Sequence, residues 1–189
     1  MELGEILKVT DRIQWRSWLA KYHRTKTEIW LVYYRKETGR AHVEYNEAVE
    51  EALCFGWIDS TVKSINKEMY AQRFSPRKKT STLSQPNIER IRRLIKQKKM
   101  TQAGLDAIAH VYTPEQDGKK GSLVVPSHIA DALKATEGAW ENFRKFPESY
   151  KRIRIAYIES RKQHGSEQHR RALRNFVAKT AQNKRIGIY

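Results

Sequence analysis

The chain has 189 residues and a net charge of +16, and 39% of its residues are hydrophobic, so it can build one cored domain, or one domain with a smaller appendage. Its single cysteine excludes an internal disulfide and a zinc site made of cysteines alone, and it is typical of a reducing compartment. No signal peptide is visible and no apolar run approaches about 20 residues, so the sequence predicts a soluble cytoplasmic protein of bacterial type without a membrane span.

The positive charge is regional. Residues 1–72 hold 11 Lys/Arg against 11 Asp/Glu, residues 73–99 hold 10 against 1, and residues 126–189 hold 14 against 6. Such an excess predicts a polyanion, an acidic protein or a negatively charged ligand as partner. Exposed helix faces that carry Lys and Arg only for solvation would give the same counts.

The first 35 residues predict a helix followed by a strand. Thr10 is a suitable N-cap, and the helical spacing of Trp15 and Trp18 predicts an aromatic stripe that faces the core. Residues 28–35 are a short apolar run rich in β-forming residues, which indicates a buried strand.

A second helix and a β-hairpin are expected next. Asn46 is the predicted N-cap of the helix, which should stop near Gly56. Residues 57–65 and 69–74 are predicted to pair as a hairpin, followed by a polar loop over 75–86.

Beyond the loop the pattern is helical. Ser84 is a possible cap for a third helix with Pro86 in its first turn and Ile91 facing inward, and Thr101 is expected to cap a short fourth helix. Four more helices are predicted at 127–135, 138–146, 148–164 and 166–180.

The expected fold class is α+β, with a small antiparallel or mixed sheet packed with helices and a helical C-terminal unit after it. Residues 113–125 mix proline, glycine and charge, and they are the predicted linker. We therefore expect an α+β core over 1–112 and a helical region over 126–189.

Cys54 is predicted to be a buried structural residue. It lies in the last turn of the second helix, where the negative end of the helix dipole disfavours a thiolate. Its aromatic neighbours indicate an apolar setting, which disfavours the thiolate further.

Asp59 and Arg73 are candidates for a pair. Strands are poor in aspartate unless a partner is present, and Arg73 on the facing hairpin strand could be that partner. Two interpretations stay open: an ion pair at the edge of the sheet, or two groups positioned in a pocket with Trp57 as a wall.

Metal and cofactor motifs are absent from the sequence. The six histidines show neither H-x-x-x-H nor H-E-x-x-H spacing, and no phosphate-binding or nucleophile-elbow motif is present. We expect no metal site, no cofactor and no catalytic residue.

The densest polar constellation lies between residues 73 and 90. Hydroxyl and guanidinium groups before a helix N-terminus suit an anionic group, although a mobile loop with solubilising charge is the alternative. The ligand-binding candidates are Trp57, Asp59, Arg73, Arg77, Ser81, Ser84 and Asn87. The polyanion-binding candidates are Arg77, Lys79, Arg90, Arg93 and Lys96.

Several stretches carry a family resemblance. "YNEAVEEALCFGWIDS", "RFSPRKKTSTLSQPNIERIRRLI" and "KKMTQAGLDAI", with "VPSHIADAL", "WENFRKFPESYKR" and "RRALRNFV" after the predicted linker, resemble the bacterial YdeI/OmpD-associated family, often labelled bacteriocin-protection proteins. The resemblance implies an association with stress or peptide-toxin resistance. It supplies no catalytic residue.

Three functions compete at this point. The first is a non-catalytic binding or interaction protein with a site formed by Trp57, Asp59, Arg73 and the 75–90 loop. The second is non-specific binding of nucleic acid or another polyanion through residues 73–99. The third is an enzyme that uses Asp59 as an acid or base, which no nucleophile, metal set or cofactor motif supports.

Overall fold

The computed structural model describes residues 3–119 and 123–187, and the chain divides into two compact units. The first unit takes in the chain up to Leu83 together with Arg90–Asp117, and the second takes in Ser84–Glu89 together with the chain from Gly118 onward. Part of the predicted linker, residues 120–122, lies outside the described residues, and a helix occupies Pro114–Lys119 within the same predicted segment.

The first unit combines a sheet with helices, as the α+β prediction required. Its strands are Ile6–Leu7 (β1), Ile29–Tyr34 (β2), Trp57–Ser64 (β3) and Met69–Pro76 (β4). Its helices are Arg12–Tyr22 (α1), Tyr45–Cys54 (α2) and Gln102–Ile108 (α4), and the helix Gln85–Lys96 (α3) contributes residues to both units.

The sheet is mixed and has the strand order β1-β2-β4-β3. β1 is parallel to β2, whereas the β2–β4 and β3–β4 pairs are antiparallel. All six residues of β2 are buried, which explains why residues 28–35 are a continuous apolar run instead of an alternating one. The predicted hairpin is confirmed, with an irregularity between Asp59 and Val62 that shifts the register of β3.

The predicted N-caps of the first two helices are wrong by one or two residues. Asp11, not Thr10, caps α1, because its carboxylate accepts hydrogen bonds from two backbone N–H groups of the first turn. Asn46 lies inside the first turn of α2, which follows Glu44 without a side-chain cap. α1 packs on α2 through Trp15, whose indole N–H donates to the Ala48 carbonyl at 3.0 Å.

The end of α2 docks the start of α4. The Cys54 carbonyl accepts hydrogen bonds from the Thr101 backbone N–H at 3.1 Å and from the Thr101 hydroxyl at 2.6 Å. The same hydroxyl accepts from the Gly104 N–H at 3.3 Å, so the predicted cap at Thr101 is confirmed. Gly56 turns the chain from α2 into β3 with a φ of +75°, a conformation that glycine adopts without strain.

The second unit is helical, and the four predicted C-terminal helices are confirmed with small shifts at their ends. They are Ser127–Lys134 (α6), Ala139–Lys145 (α7), Glu148–Ser160 (α8) and Ser166–Ala181 (α9). The short helix Pro114–Lys119 (α5) precedes them, and most of it belongs to the first unit. The inward faces of α6 to α9 form one apolar core, in which Phe143 meets Phe176 edge to face at 6.1 Å between ring centroids. Within the described residues, no helix is long and apolar enough to cross a membrane.

Candidate functional site

Trp57, a predicted pocket wall, is a core residue. Its side chain is 1% exposed, and its indole N–H donates to the His23 carbonyl at 3.1 Å. Trp18 meets it edge to face at 5.7 Å between centroids. Trp57 thus stabilises the packing of α1 on the sheet and offers no free ring surface to a ligand.

The predicted pairing of Asp59 with Arg73 is wrong. Asp59 lies opposite Phe74 in the β3–β4 register, so its side chain is on the Phe74 face of the sheet, and Arg73, the next residue along β4, faces the other way. Arg73 instead pairs with Glu28, with its Nη2 2.6 Å from Oε2. The ion pair with Arg73 is the main reason why the pKa of Glu28 is lowered. Asp59 accepts a hydrogen bond from the Tyr45 hydroxyl at 2.8 Å.

A polar group around Asp59 does exist; it keeps the predicted Arg77 and adds Tyr45, which was not a predicted site residue. Burial, and then the hydrogen bond to Asp59, raise the pKa of Tyr45 to about 12. Arg77 is 7% exposed and donates to the Thr82 carbonyl at 2.9 Å, while its Nε and Nη2 have no hydrogen-bond partner within the described residues. Burial lowers the pKa of Arg77, and the charge of Asp59 opposes that effect.

The burial of Arg77 removes it from the predicted polyanion surface. Two other arginines of that group have acidic or amide partners in the first unit: Arg90 donates to the Asn46 carboxamide oxygen at 2.7 Å, and Arg93 forms an ion pair with Glu50. Both lysines of the group are exposed. The excess of cations in residues 73–99 is therefore partly balanced by acids elsewhere in the chain, which a local count does not detect.

The loop candidates belong to different units. Ser81 lies in the first unit, where its carbonyl oxygen is 3.1 Å from His110 Nε2. Ser84 and Asn87 belong to the second unit. The predicted ligand-binding residues are thus divided between the two units, and a joint site stays a prediction.

The second unit contains a cavity of about 500 Å³ that sequence reasoning missed. Its walls come mainly from α8, α9 and the residues after α9, and most of the lining is apolar, with Ile153, Ile158 and Phe176 among its residues. Ser84 lines it too, and it is the one predicted ligand-binding residue found there. Several residues of the lining, including Tyr157, are solvent-exposed, so the cavity has a rim at the surface.

Arg154 is the charged group that the described residues contribute to this cavity. It is 9% exposed, its Nη2 donates to the Gly187 carbonyl at 3.1 Å, and its Nε is buried without a hydrogen-bond partner among the described residues. Its guanidinium carbon lies 5.9 Å from the ring centroid of Tyr150 and 5.4 Å from that of Tyr157. Arg161 lies 4.5 Å from the Tyr157 centroid, so Tyr157 contacts two guanidinium groups.

A sequence signal for this arrangement is present. Tyr150, Arg154, Tyr157 and Arg161 recur at intervals of four, three and four residues, which places them on one face of α8 and its continuation. Because guanidinium groups are attracted to the faces of aromatic rings, this alternation favours contacts among the four side chains. In the sequence analysis these arginines were counted only among the 14 Lys/Arg of residues 126–189.

Three metal-ligating side chains also meet in the second unit. His128, Glu159 and His169 each bring one ligand atom to within 4.8 Å of the other two. No spacing motif connects them, since they are 31 and 10 residues apart. His169 precedes Phe176 by seven residues, or two helical turns, and this spacing was a signal that His169 lies on the apolar face of α9.

Cys54 is buried and free, as predicted. Burial, with a contribution from the charge of Glu51, raises the pKa of its thiol to about 11, although a hydrogen bond from Arg16 opposes the shift. A protonated, covered thiol reacts poorly because the thiolate is the nucleophile.

We therefore expect a thiol reagent to label Cys54 slowly in the native protein at neutral pH and quickly after denaturation in urea. Cys54→Ser should lower the free energy of unfolding by about 1–3 kcal/mol, because a hydroxyl would be buried in place of the thiol. Fast labelling of the native chain would contradict this expectation. Absorbance of the released chromophore measures both rates.

Two family models match the chain in succession. Residues 7–107 match a domain of unknown function (DUF8412), and residues 122–183 match the family described as bacteriocin-protection, YdeI or OmpD-associated. No curated protein and no solved structure matches.

The resemblance inferred from the sequence is confirmed for the C-terminal part, while the block around Cys54 and Trp57 falls in the other match. The first match covers more than half of the 189 residues. The chain therefore belongs to the DUF8412 family, and its C-terminal unit carries a domain of the bacteriocin-protection, YdeI or OmpD-associated family.

Proposed function

We propose that this chain is a non-catalytic binding protein whose second unit takes an amphipathic anion into the cavity beside Arg154. The observation that carries the proposal is an arginine that is 9% exposed on the wall of a mainly apolar cavity of about 500 Å³, with Nε buried and unpartnered within the described residues. The size falls in the range of about 300–1,000 Å³ that small-ligand sites occupy.

The energetics favour an anion. An N–H of a cation that is buried without an acceptor costs free energy, and a carboxylate, phosphate or sulfonate placed against it would supply the acceptor. The apolar lining would at the same time bury a hydrocarbon or aromatic tail at about 25 cal/mol per Å². A ligand with only an anionic group would leave the apolar lining uncovered, and a ligand with only an apolar tail would leave the arginine without an acceptor.

The cavity lies largely within the segment that matches the bacteriocin-protection, YdeI or OmpD-associated model, residues 122–183. Binding of an anionic amphiphile or of a peptide carboxylate is compatible with the protective role in that description, and we carry the role over as part of the proposal. The cytoplasmic location and bacterial origin stay predictions from the sequence.

Under this proposal, some of the residues predicted from the sequence belong to the binding site and others lie outside it. Ser84 lies in the cavity wall, where its hydroxyl can donate a hydrogen bond to the ligand. Asp59 and Arg77 form a separate polar group in the first unit, and a ligand role for them, or an acid–base role for Asp59, stays a prediction. Nucleic-acid binding has less support, because two of its five candidate side chains have carboxylate or amide partners and Arg77 is buried.

The direct test is a pair of ligands that differ in charge. Titration calorimetry of the full chain with decanoate and with decanol should show binding of the carboxylate and binding weaker by about tenfold or more for the alcohol, since a hydrogen bond to a charged group contributes about 1.5–3 kcal/mol. Arg154→Met should weaken decanoate binding by a similar factor and leave decanol binding unchanged. Ala172→Phe, which places a ring in part of the cavity, should weaken both.

Arg171→Met is the matched control, because Arg171 is exposed on α9 and does not line the cavity. It should bind both ligands like the wild type. Equal affinity for decanoate and decanol, or an Arg154→Met protein that binds decanoate as well as the Arg171→Met protein does, would contradict the proposal.

A further inference from the structure

The second unit brings two imidazoles and one carboxylate to a common point. Nε2 of His128 is 3.0 Å and Nε2 of His169 is 3.9 Å from Oε1 of Glu159. The two imidazole rings are 5.3 Å apart between centroids. The three ligands come from three helices, with His128 in the first turn of α6, Glu159 near the end of α8 and His169 in the first turn of α9.

The three converging atoms are buried, and residues 3–119 and 123–187 offer them no hydrogen bond. Nε2 of each histidine and Oε1 of Glu159 are buried atoms without a hydrogen-bond partner among the described residues. The 3.0 Å approach of His128 to Glu159 is close enough for an ion pair, but its angles are not those of a hydrogen bond, so distance alone overstates that contact. Buried polar atoms without partners cost free energy, and a shared cation would satisfy all three at once.

The spacing suits a small divalent ion. Ligands about 2.0–2.2 Å from a tetrahedral Zn²⁺ lie roughly 3.3 Å from one another, and the separations of 3.0 and 3.9 Å bracket that value. Small rotations of the side chains would therefore complete the coordination. Two neutral imidazole nitrogens and one carboxylate oxygen form a ligand set that Zn²⁺ accepts, with water in a fourth position.

The remaining contacts leave the converging oxygen available. The other carboxylate oxygen of Glu159, Oε2, accepts a hydrogen bond from Lys162 at 2.6 Å. That bond orients the carboxylate so that Oε1 faces the histidines. The side chains are 15% exposed at His169 and 35% exposed at His128, so the cluster lies close to the surface of the unit although its three ligand atoms are buried.

We propose that His128, Glu159 and His169 form a binding site for Zn²⁺ or a similar divalent transition-metal ion that joins α6, α8 and α9. The site is distinct from the cavity beside Arg154, and its test does not depend on that ligand. An ion there would hold together three helices of the second unit and raise its stability in proportion to the occupied fraction.

The test uses the full chain after treatment with a chelator. Zn²⁺ affinity, measured by competition with a chromophoric chelator, should fall at least about tenfold in His128→Gln, Glu159→Gln and His169→Gln, because even residues that only orient a ligand change affinity by that much. His164→Gln is the matched control, since His164 is an exposed histidine of the same unit outside the cluster, and it should bind Zn²⁺ like the wild type.

Two further readouts can be taken on the wild-type chain first and then on the variants. Zn²⁺ should raise the melting temperature of the wild-type chain, and Co²⁺ in its place should show the strong visible absorption of a four- or five-coordinate ion. Both signals should persist in His164→Gln and be lost in His169→Gln. Equal Zn²⁺ affinity of the wild type and the three cluster variants, or a wild-type chain with neither signal, would overturn the proposal.

Discussion

Gly104→Ala should destabilise the first unit by about 2–3 kcal/mol, although alanine is the better helix former by about 1 kcal/mol. A Cβ at this position would lie 2.7 Å from the Cys54 carbonyl carbon and 2.9 Å from the Leu53 carbonyl oxygen. These are backbone atoms at the end of α2, so they cannot rotate away as a flexible side chain would. The steric cost therefore exceeds the gain in helix propensity.

The clash would also weaken the hydrogen bonds that hold α4 against the end of α2. Thr101 holds the same Cys54 carbonyl through two hydrogen bonds, and moving α4 away to admit a methyl group would stretch both. Urea unfolding of the full chain followed by tryptophan fluorescence would measure the change, because four of its five tryptophans lie in the first unit.

The matched control is Gln102→Ala at an exposed position of the same helix. Its free energy of unfolding should stay within about 0.5 kcal/mol of the wild-type value. A Gly104→Ala protein as stable as this control would show that the close approach of α4 to α2 is not required.

The double substitution Arg12→Met/Arg16→Met should cost about 3–5 kcal/mol, because it would leave the Glu51 carboxylate buried without a compensating charge. The Glu51 side chain is 2% exposed. Arg12 Nε donates to its Oε1 at 3.0 Å, and Arg16 Nη1 donates to its Oε2 at 2.6 Å. The two arginines join α1 to α2, beside the buried Cys54.

A third substitution gives the sharper result. Adding Glu51→Leu to the double variant should recover most of the lost stability, since an apolar residue of similar volume replaces the charge that has no partner. Arg170→Met/Arg174→Met is the matched control: both arginines pair with Glu167, whose side chain is 65% exposed, and their removal should leave the unfolding curve unchanged. A triple variant no more stable than the double one would contradict the buried-charge explanation.

The arginine–carboxylate network shows why charge counts by segment were a poor guide to surface chemistry. Arg93 and Glu50 are 43 residues apart, and each was assigned to a differently charged region of the sequence. The fold brings them together and removes part of the apparent basic excess. Only the spatial arrangement decides which cations remain available to a partner.

The elements that the sequence determined by itself are those set by short-range patterns. The apolar run at 28–35 became the buried strand β2, the four C-terminal helices follow their apolar periodicity, and Thr101 caps α4 as its hydroxyl allows. Cys54 is buried for a local reason too, since it ends a helix among apolar neighbours. In these cases the interactions that decide the structure involve residues within a few positions of one another.

The tertiary structure alone decided the pairings. An irregularity in β3 set the register that places Asp59 and Arg73 on opposite faces of the sheet. Arg73 instead donates a hydrogen bond to Glu28, which is 45 residues away in the sequence. His128, Glu159 and His169 come together only because three helices pack around one core, and the cavity beside Arg154 exists only in the packed unit. Contacts between distant residues depend on register and packing, which no local pattern encodes.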